Sequence, residues 1–434
     1  MSEIKNIGDA ARSKVPLSRR LSYWDNQFVL FGYNVVVTSA LVGGIIGLSF
    51  PPRLALIIIF FAMLSNCIVA TLIGGIAART GYSSALIYRF SFGKIGTLWP
   101  NLVMAFTGIT WFSVIVNLTR DASIEILGLQ TNSLTIFFIT ILIGIIFAYP
   151  AYRSIKLIAR ICNIVVPILI LMIIYVITKS IQDAGGLAAI LSINTTPKLP
   201  LLLGFSIAAG GWLQGATVSA DFSRFFRNAK ESTYGSICSF GIILGLQYIG
   251  GAFGAAITGE YNIFFILRQL GGGNWLPFIA VFLATWSTNQ AIMYGCSLQV
   301  AAPPLPMYKD QETTRKLVVI ALWIISMIIC FLGVEKVFNM WLVYLASIVG
   351  PIATIVILDY WAFPKRQILY EDGSNPDMIA NPIALISWII GFLVGHFSAK
   401  YSILTPVLNS MVITGVCYYF LMKKKLAISS SAEK

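Results

Sequence analysis

The chain has 434 residues, of which 57% are hydrophobic and only 11% are charged. Soluble domains carry about 25% charged residues, so this composition excludes an ordinary soluble protein. The formal net charge of +13 would suit a nucleic-acid-binding protein, but the positions of the basic residues argue against that class.

Apolar segments long enough to cross a membrane recur along the whole chain. About 20 apolar residues in a helix span a hydrocarbon core of about 30 Å. We predict an all-α polytopic membrane protein. Its twelve transmembrane helices are predicted at residues 27–49, 53–77, 98–119, 133–150, 155–179, 199–220, 233–258, 274–299, 317–334, 337–362, 382–399 and 402–422. The first 26 residues lack the apolar core of a signal peptide, so we expect no cleavable one.

The basic residues predict how the chain is oriented. If the N-terminus is cytoplasmic and the spans alternate, 23 of the 30 Lys and Arg residues lie in cytoplasmic segments and 7 lie outside. This asymmetry follows the positive-inside rule. We therefore predict a multi-pass protein of the cell membrane with both termini cytoplasmic. The basic charge is a topology signal, and we expect a lipid bilayer rather than nucleic acid as the partner.

Four spans place polar or glycine-rich residues at one depth, near their midpoints. These residues are Thr38, Trp111, Gly210 and Trp286, in the first, third, sixth and eighth spans. The first and sixth spans are five apart, as expected when a five-helix unit repeats in inverted orientation and discontinuous helices meet at a midplane site. We predict a cytoplasmic N-terminal segment, two five-helix repeats, two extra C-terminal helices and a cytoplasmic tail, at residues 1–26, 27–179, 199–362, 382–422 and 423–434.

The sixth span carries the run "GGWLQG", which is unusual for the centre of a membrane helix. Gly210 and Gly211 each cost a helix about 1 kcal/mol relative to Ala. They let the backbone leave the helix, which is tolerated in a membrane only where the freed groups line a cavity or are buried in protein. Close helix packing is the other explanation for such glycines. The neighbouring Trp and Gln favour a helix break.

Two tryptophans lie near the membrane midplane, although Trp prefers the interfaces. They are Trp111 and Trp212, and either alone would be read as a large core residue. Together they are able to hold a flat π-system between their faces. Gln214 and Asn289 each offer a donor and an acceptor, which suits the edge of an amide-like heterocycle.

The central parts of the predicted spans contain no charged residue. Asp221, Arg224 and Asp359 fall at predicted cytoplasmic ends. A charged substrate normally requires an intramembrane counter-charge, so we predict a neutral, planar, hydrogen-bonding substrate. Ser287 and Thr288 offer oxygen ligands for a small Na⁺ site. They fit equally well as hydroxyls bonded back to their own helix.

Cysteine and histidine supply no catalytic pattern. The six cysteines are scattered, without a CxxC pair, and the single histidine is His396. Buried thiols of this kind behave as small apolar residues. We therefore expect no enzyme and no bound cofactor apart from a coupling cation.

Several segments carry a family resemblance, which extends through most of the chain. It resembles the nucleobase:cation symporter-1 family, the cytosine, purine, allantoin and hydantoin permeases, and within it is most similar to the cytosine permeases. The matching segments are "GGIIGLS" at 43–49, "AARTGYSSALIYRFSFGKIG" at 77–96, "TWFSV", "SADFSRFFRNAK" and "TWSTNQAIMYG". The resemblance implies a LeuT-like core of five plus five inverted helices with two extra C-terminal helices, alternating access and, in most members, Na⁺-coupled uptake.

The resemblance also implies site residues. The substrate would lie between Trp111 and Trp212, with hydrogen bonds to the backbone at Gly211 and to the Gln214 side chain. The implied cation ligands are carbonyls near Val36, Ser39 and Ala284 and the hydroxyls of Ser287 and Thr288.

The chain departs from the cytosine permeases that it resembles at three positions. They place polar amides where this chain has Gly108 and Ala284, and they have Phe where this chain has Trp212. Members of the hydantoin type resemble it in having Trp there. We count Gly108 among the substrate-binding positions and predict a nucleobase or similar small heterocycle as substrate, without choosing one.

The function predicted from the sequence is cation-coupled import of such a heterocycle by a monomer, with Na⁺ as the coupling ion. Proton coupling and an amino-acid transporter on the same fold remain alternatives. A passive channel is disfavoured, because no continuous polar stripe or charged ring appears.

Overall fold

The computed structural model describes residues 11–273, 275–306, 310–333, 338–374, 378–401 and 403–432, and within them the regular secondary structure is helical. The helices of the first half are α1 Tyr23–Asn34, α2 Val37–Ser49, α3 Pro52–Thr80, α4 Ser84–Phe92, α5 Leu98–Ile126, α6 Ser133–Arg153, α7 Ile155–Asp183 and α8 Leu187–Ser192.

The second half continues the same architecture. Its helices are α9 Leu201–Thr217, α10 Ala220–Ser223, α11 Ala229–Ser236, α12 Leu244–Thr258, α13 Ile263–Leu267, α14 Trp275–Ala301, α15 Gln311–Leu332, α16 Phe338–Trp361, α17 Pro364–Asp372, α18 Pro382–Lys400 and α19 Pro406–Ala432. A π-helical segment, Ile237–Ile243, joins α11 to α12 without interruption.

Each of the twelve predicted spans falls on a helix or a helix pair. By length and composition, ten helical spans in the described residues are able to cross a membrane, and the bent pair α1–α2 makes an eleventh. The twelfth predicted span lies on α19, which is not among these ten. This helix continues through the predicted tail as far as Ala432, because Lys and Ala are good helix formers.

The chain breaks the first predicted span into two helices. Asn34 ends α1 and Val37 begins α2, and the two axes differ by 48°. The break lies slightly before Thr38, the predicted midpoint of this span. Three consecutive valines follow Asn34. Valine loses rotamer freedom in a helix, and Asn competes for backbone hydrogen bonds, so the local sequence favours an interruption here.

Two long contacts relate the halves of the molecule. Helix α2 packs along α12, and α9 packs along α3. If spans one to five repeat as spans six to ten, these are the same contact in two copies, as an inverted repeat requires. The first contact brings the backbones together at glycines: a Cβ on Gly43 would collide with the Tyr248 carbonyl, and one on Gly251 with the Ala40 carbonyl. The segment "GGIIG" therefore serves close packing.

The two C-terminal helices lie beside the repeats. Helix α18 packs on α19, and both contact α16. The buried Asp359 carboxylate ties this region together, because it pairs with Arg366 at 2.9 Å and accepts hydrogen bonds from the hydroxyls of Tyr370 and Tyr418 at 2.7 and 2.6 Å. Four donor contacts compensate this buried charge.

Candidate functional site: two broken helices and the helix between them

The break between α1 and α2 frees two carbonyl groups. In a continuous helix the N–H of residue 36 would bond the carbonyl of residue 32, and that of residue 39 the carbonyl of residue 35. Here the Val36 N–H turns to the Asn34 carbonyl, and the Ser39 N–H turns to the Val36 carbonyl, both at 3.0 Å. The Gly32 and Val35 carbonyls thus lose their helical donors.

The freed carbonyls meet two hydroxyls of α14. Thr288 Oγ1 lies 3.2 Å from the Gly32 oxygen and 3.3 Å from the Val35 oxygen. Ser287 Oγ lies 3.2 Å from the same Gly32 oxygen and 3.0 Å from the Ala284 carbonyl. Both hydroxyl groups are fully buried. Five oxygen atoms therefore converge at the end of α1, with only two hydroxyl protons among them.

The α1 carbonyls in this cluster differ from those expected from the resemblance. The Val36 carbonyl accepts hydrogen bonds from Gln247 Nε2, at 3.2 Å, and from the Ser39 N–H. Ser39 lies inside α2, and its buried hydroxyl has no partner among the described residues. The observed pair, Gly32 and Val35, lies one helical turn earlier than Val36 and Ser39, because α1 stops at Asn34. Ala284, Ser287 and Thr288 lie in the cluster as the resemblance implies.

The second break lies within α9, at the tryptophan rather than at the glycines before it. Trp212 has non-helical backbone angles, φ −138° and ψ 15°. Side chains from other helices compensate the disturbed backbone: Tyr248 Oη donates to the Ala208 carbonyl and Asn66 Nδ2 to the Ala209 carbonyl, both at 3.1 Å. This agrees with the rule that irregular backbone at membrane depth has protein partners.

Gly211 is required where α9 meets its neighbours. A Cβ there would lie 2.6 Å from Tyr248 Oη and within 3.4 Å of Val42. The missing side chain thus allows Tyr248 to reach the broken backbone. Close approach explains this glycine, and the predicted backbone contact of Gly211 with a substrate stays a prediction.

Trp212 connects the two breaks. Its indole Nε1 donates to Asn34 Oδ1, at the end of α1, at a distance of 2.8 Å. Gly215 makes room for the ring, since a Cβ there would lie 2.7 Å from Trp212 Nε1. Sequence reasoning missed both Asn34 and Gly215. The only sequence signal for Asn34 is an Asn directly before a valine run, a pattern that marks a helix end.

The two midplane tryptophans meet, as the sequence analysis expected, but their rings do not form an open clamp. The ring centroids of Trp111 and Trp212 are 6.0 Å apart, and the planes are inclined at 68°. Both side chains are fully buried. This edge-to-face arrangement leaves no room for a flat ring between the two indoles. The arrangement described here therefore differs from a sandwich around a substrate.

The predicted polar contacts surround the tryptophans. Asn289 donates from Nδ2 to the Phe112 carbonyl at 3.1 Å, and its Oδ1 has no partner in the described part of the chain. Gln214 is 4% exposed, and its Oε1 is likewise unpaired among the described residues. Gly108 faces the same region, because a Cβ there would collide with Cys296 Sγ and lie 3.7 Å from Gln214 Nε2.

A small cavity of about 10 Å³ lies next to this group, between α1, α5, α9, α10 and α14. Gln214, Tyr33 and Phe222 contribute to its wall. Buried Asp221 lies close by: its Oδ1 accepts a hydrogen bond from the Ser84 N–H, in the first turn of α4, at 2.8 Å. The wall thus combines aromatic surface with amide groups. A cavity of this size has room for about one water molecule.

Comparison with known proteins finds relatives that match almost the whole chain. Residues 14–421 match the model of a family described as permease for cytosine/purines, uracil, thiamine and allantoin. The cytosine permease of Escherichia coli (strain K12) is 26% identical over 426 residues, covering 94% of this chain and 96% of the relative. The hydantoin permease of Microbacterium maritypicum is 25% identical over 381 residues, covering 82% of this chain and 76% of the relative.

Solved structures agree on the fold. A nucleobase-cation-symport-1 family transporter in a closed conformation, with bromovinylhydantoin bound, has a TM-score of 0.77 at 20% identity, covering 96% of each chain. A Na⁺-coupled sialic acid symporter in a substrate-bound outward-open state has a TM-score of 0.66 at 12% identity, covering 92% of this chain and 88% of the other. The inverted-repeat, LeuT-like core predicted from the sequence is thereby confirmed. The chain belongs to the family of permeases for cytosine/purines, uracil, thiamine and allantoin, the nucleobase:cation symporter-1 family.

Proposed function

We propose that this permease is a secondary active transporter that imports a neutral, planar heterocycle together with Na⁺, by alternating access. The oxygen cluster at the α1 break is the observation that carries the proposal. Carbonyls of Gly32, Val35 and Ala284 and the hydroxyls of Ser287 and Thr288 supply five oxygen ligands. Hard cations bind such oxygens.

The hydroxyl contacts support a cation site over simple helix back-bonding. The described hydrogen bonds of Thr288 Oγ1 both cross to α1, and only Ser287 also bonds within its own helix. A single hydroxyl proton is shared between two carbonyls at 3.2 and 3.3 Å. A bound Na⁺ would accept lone pairs from all of these oxygens at once, which the two protons do not achieve.

The proposed substrate site is the region around Trp111, Trp212, Gln214, Asn289 and Gly108. Its unpaired amide oxygens require N–H donors, and its indoles offer stacking surface. Because the rings touch in the present arrangement, substrate binding requires Trp111 or Trp212 to move. Relatives named for cytosine and for hydantoin indicate a nucleobase-like ring as the substrate class.

The hydrogen bond between Trp212 and Asn34 would couple cation binding to substrate binding. Na⁺ at the Gly32 and Val35 carbonyls would fix the end of α1, and Asn34 would then hold the Trp212 indole. A ligand shifts an equilibrium only by its differential affinity for the two states. Stabilising one arrangement of α1 would in this way favour the arrangement that binds the heterocycle.

The experiment is a binding and uptake measurement on the purified full-length protein. Thermal shift is measured with cytosine, uracil, hypoxanthine, allantoin, hydantoin and leucine, in Na⁺ and in choline. We expect at least one heterocycle to bind more tightly in Na⁺, and leucine not to bind. Binding of leucine alone would overturn the proposed substrate class and favour an amino-acid transporter.

Proton coupling is the second candidate function, and buried Asp221 favours it. Its carboxylate is fully buried next to the cavity, where a proton exchange would act on the neighbouring α4. If substrate affinity ignores Na⁺ but follows pH in choline, the coupling ion is H⁺. Asp221→Asn would then abolish the pH dependence, whereas in a Na⁺-coupled protein this substitution leaves the Na⁺ dependence in place.

The charge asymmetry supports a cytoplasmic position of both termini, and we propose the same location in the cell membrane and a monomeric state. The C-terminal ends of α9 and α14 then face the cytoplasm. Thiol labelling of single cysteines at residues 14 and 400, in intact cells with an impermeant maleimide, tests this orientation. Only the cysteine at 400 should react.

A further inference from the structure

The two carbonyls that follow the end of α1 point to opposite neighbours. Val36 has extended backbone angles, φ −120° and ψ 139°. In an extended residue, the preceding carbonyl and the residue's own carbonyl point to opposite sides of the chain. The preceding carbonyl, that of Val35, lies 3.3 Å from Thr288 Oγ1 of α14. The Val36 carbonyl accepts a hydrogen bond from Gln247 Nε2 of α12 at 3.2 Å. The direction of the Val35 carbonyl is therefore linked to that of the Val36 carbonyl.

Gln247 lies on a helix that is fixed against α2. A Cβ on Gly43 would collide with the Tyr248 carbonyl, so α2 and α12 are in backbone contact next to residue 247. The Tyr248 side chain donates to the Ala208 carbonyl at the α9 break, at 3.1 Å. Two consecutive residues of α12 therefore bond the two broken helices, and Gln247 is the one that bonds the α1 break.

Gln247 is the donor from another helix that orients the Val36 carbonyl. The second donor to this carbonyl, the Ser39 N–H, belongs to α2 itself and moves with it. A cavity of about 20 Å³ borders Gln247, Val35 and Ala284, and the rest of its described wall consists of apolar residues and glycines. This cavity has room for about one water molecule. A fixed protein donor, and not a ligand, therefore sets the direction of this peptide.

We propose that Gln247 is a positioning residue for the coupling cation. It holds the Val36 carbonyl toward α12 and thereby turns the Val35 carbonyl toward α14, where Ser287 and Thr288 complete the proposed Na⁺ site. Selectivity between hard cations depends on the size, ligand number and flexibility of the site. Because a carbonyl held in this way resists movement toward a smaller ion, Gln247 also favours Na⁺ over Li⁺. The inference rests on the proposed function, since it assumes Na⁺ coupling.

The test removes the donor and keeps the bulk of the side chain. Gln247→Met has an unbranched side chain of similar length without an N–H. Binding of uracil, or of whichever heterocycle binds the wild type, to the purified full-length protein is measured at rising Na⁺, with choline as the replacement ion. We expect the half-saturating Na⁺ concentration to rise about three- to tenfold, the effect of one lost neutral hydrogen bond. The affinity for the heterocycle at saturating Na⁺ should stay close to the wild-type value.

Two further readouts distinguish positioning from a general loss of stability. The same titration with Li⁺ gives the ratio of the half-saturating concentrations of Li⁺ and Na⁺. This ratio should fall in Gln247→Met, because a freer carbonyl adapts to the smaller ion, whereas a general loss of stability would leave it unchanged. Hydrogen exchange in choline without substrate, followed by mass spectrometry, should become faster in the peptide that contains residues 34–39.

Gln27→Met is the matched control. Gln27 is a buried amide of α1 that donates to Ser239 Oγ at 2.9 Å, in the π-helical segment that leads into α12. It lies about two helical turns before the break, so its loss should change neither the Na⁺ requirement nor the ratio of Li⁺ to Na⁺. Gln247→Asn serves if Gln247→Met does not fold. Its shorter side chain keeps an amide, but the donor no longer reaches the Val36 carbonyl, and the Na⁺ requirement should rise in the same way.

The outcomes separate the inference from the proposed function. If the wild type binds a heterocycle with Na⁺ dependence and the Gln247 variants keep its Na⁺ requirement, the positioning role is overturned and the proposed function stands. Equal losses of substrate affinity in Na⁺ and in choline would also overturn it, because they place the effect at the substrate site. If the wild type ignores Na⁺, the proposed coupling is overturned, and the positioning role with it. If no heterocycle binds, the proposed substrate class is overturned, and titration of the thermal stability with Na⁺ alone decides on Gln247.

Discussion

The carbonyl groups at the two helix breaks have different hydrogen-bond partners. At the α1 break, the donors to the Gly32 and Val35 carbonyls among the described residues are the hydroxyls of α14, which share two protons among several oxygens. At the α9 break, the Ala208 and Ala209 carbonyls are bonded by Tyr248 and Asn66. The first break therefore keeps an oxygen-rich site available for a cation. The second has its backbone compensated by protein.

The difference shows which chemical groups each break presents. The Ala208 and Ala209 carbonyls each accept a side-chain donor, and no hydroxyl cluster like that of Ser287 and Thr288 adjoins them in the described contacts. The contribution of α9 is the side chain at the kink: Trp212 projects toward Trp111 and Asn34. The α1 break offers backbone oxygens and the α9 break offers an aromatic ring. Four predictions test this comparison.

The largest effect is expected at Trp212. Trp212→Ala removes the stacking surface and the donor to Asn34, and we expect no measurable heterocycle binding by thermal shift or by equilibrium dialysis. Because Trp→Ala changes in cores cost about 3–5 kcal/mol of stability, Trp212→Phe is measured alongside. It keeps an aromatic face and should bind weakly. Trp388→Phe, at a buried tryptophan of α18 that bonds the Ile348 carbonyl, is the control. Wild-type affinity in Trp212→Ala would mean that the ring only fills space.

The next largest effect concerns the α1 break. Ser287→Ala combined with Thr288→Val removes both hydroxyls from the oxygen cluster. We expect the ratio of substrate affinities in Na⁺ and in choline to fall to one; couplings of this kind are typically about 5- to 150-fold. Thr285→Val is the matched control, since Thr285 bonds only its own helix in the described contacts. A double variant that retains the Na⁺ dependence would show that the cation binds elsewhere.

A smaller effect is expected at Asn34, which links the two breaks. Asn34→Ala removes the acceptor for Trp212 Nε1, a loss of about 0.5–1.5 kcal/mol for one neutral hydrogen bond. The substrate affinity in choline should change little, while the Na⁺-induced gain in affinity should shrink. Equal losses in Na⁺ and in choline would assign Asn34 to substrate binding alone, without a part in coupling.

The smallest functional effect is expected at Tyr248. Tyr248→Phe leaves the Ala208 carbonyl without its donor, which should destabilise the protein by about 1–3 kcal/mol. Thermal unfolding in detergent measures this loss, and Tyr175→Phe, which removes a similar bond to the Leu270 carbonyl, serves as reference. The Na⁺ dependence should be unchanged, because the proposed cation site lies at the α1 break and not at α9. A lost Na⁺ dependence would contradict the distinction between the two breaks.

Much of the architecture follows from the sequence alone. The apolar runs determine the spans, because hydrocarbon accepts only backbone whose polar groups are bonded internally. The five-span spacing of polar midpoints indicated the inverted repeat. Trp111, Trp212 and Gln214 are predicted as substrate contacts from their positions near the span midpoints, since tryptophan prefers the membrane interfaces. Ser287 and Thr288 were recognised as hydroxyls at the same depth.

The tertiary structure decided how these residues meet. The low helix propensity of glycine predicts a helix break at Gly210 and Gly211, but the kink lies at Trp212. There, Tyr248 and Asn66 donate hydrogen bonds to the Ala208 and Ala209 carbonyls. Helix propensity depends on the local sequence, so it gives no information about hydrogen-bond partners that are distant in the chain. The carbonyls of the proposed cation site likewise depend on the residue where α1 ends. The carbonyls that meet the hydroxyls of α14 are those of Gly32 and Val35, one helical turn before Val36 and Ser39.

The sequence therefore determined which chemistry is present in the membrane: neutral amides, hydroxyls and indoles, and no charged group at the span centres. Only the tertiary structure decided which oxygens face one another, that Asn34 joins the two breaks, and that Gln247 of α12 bonds the Val36 carbonyl. The physical reason is that composition and hydropathy act within each segment, whereas hydrogen-bond partners in a membrane bundle come from helices that are distant in the chain.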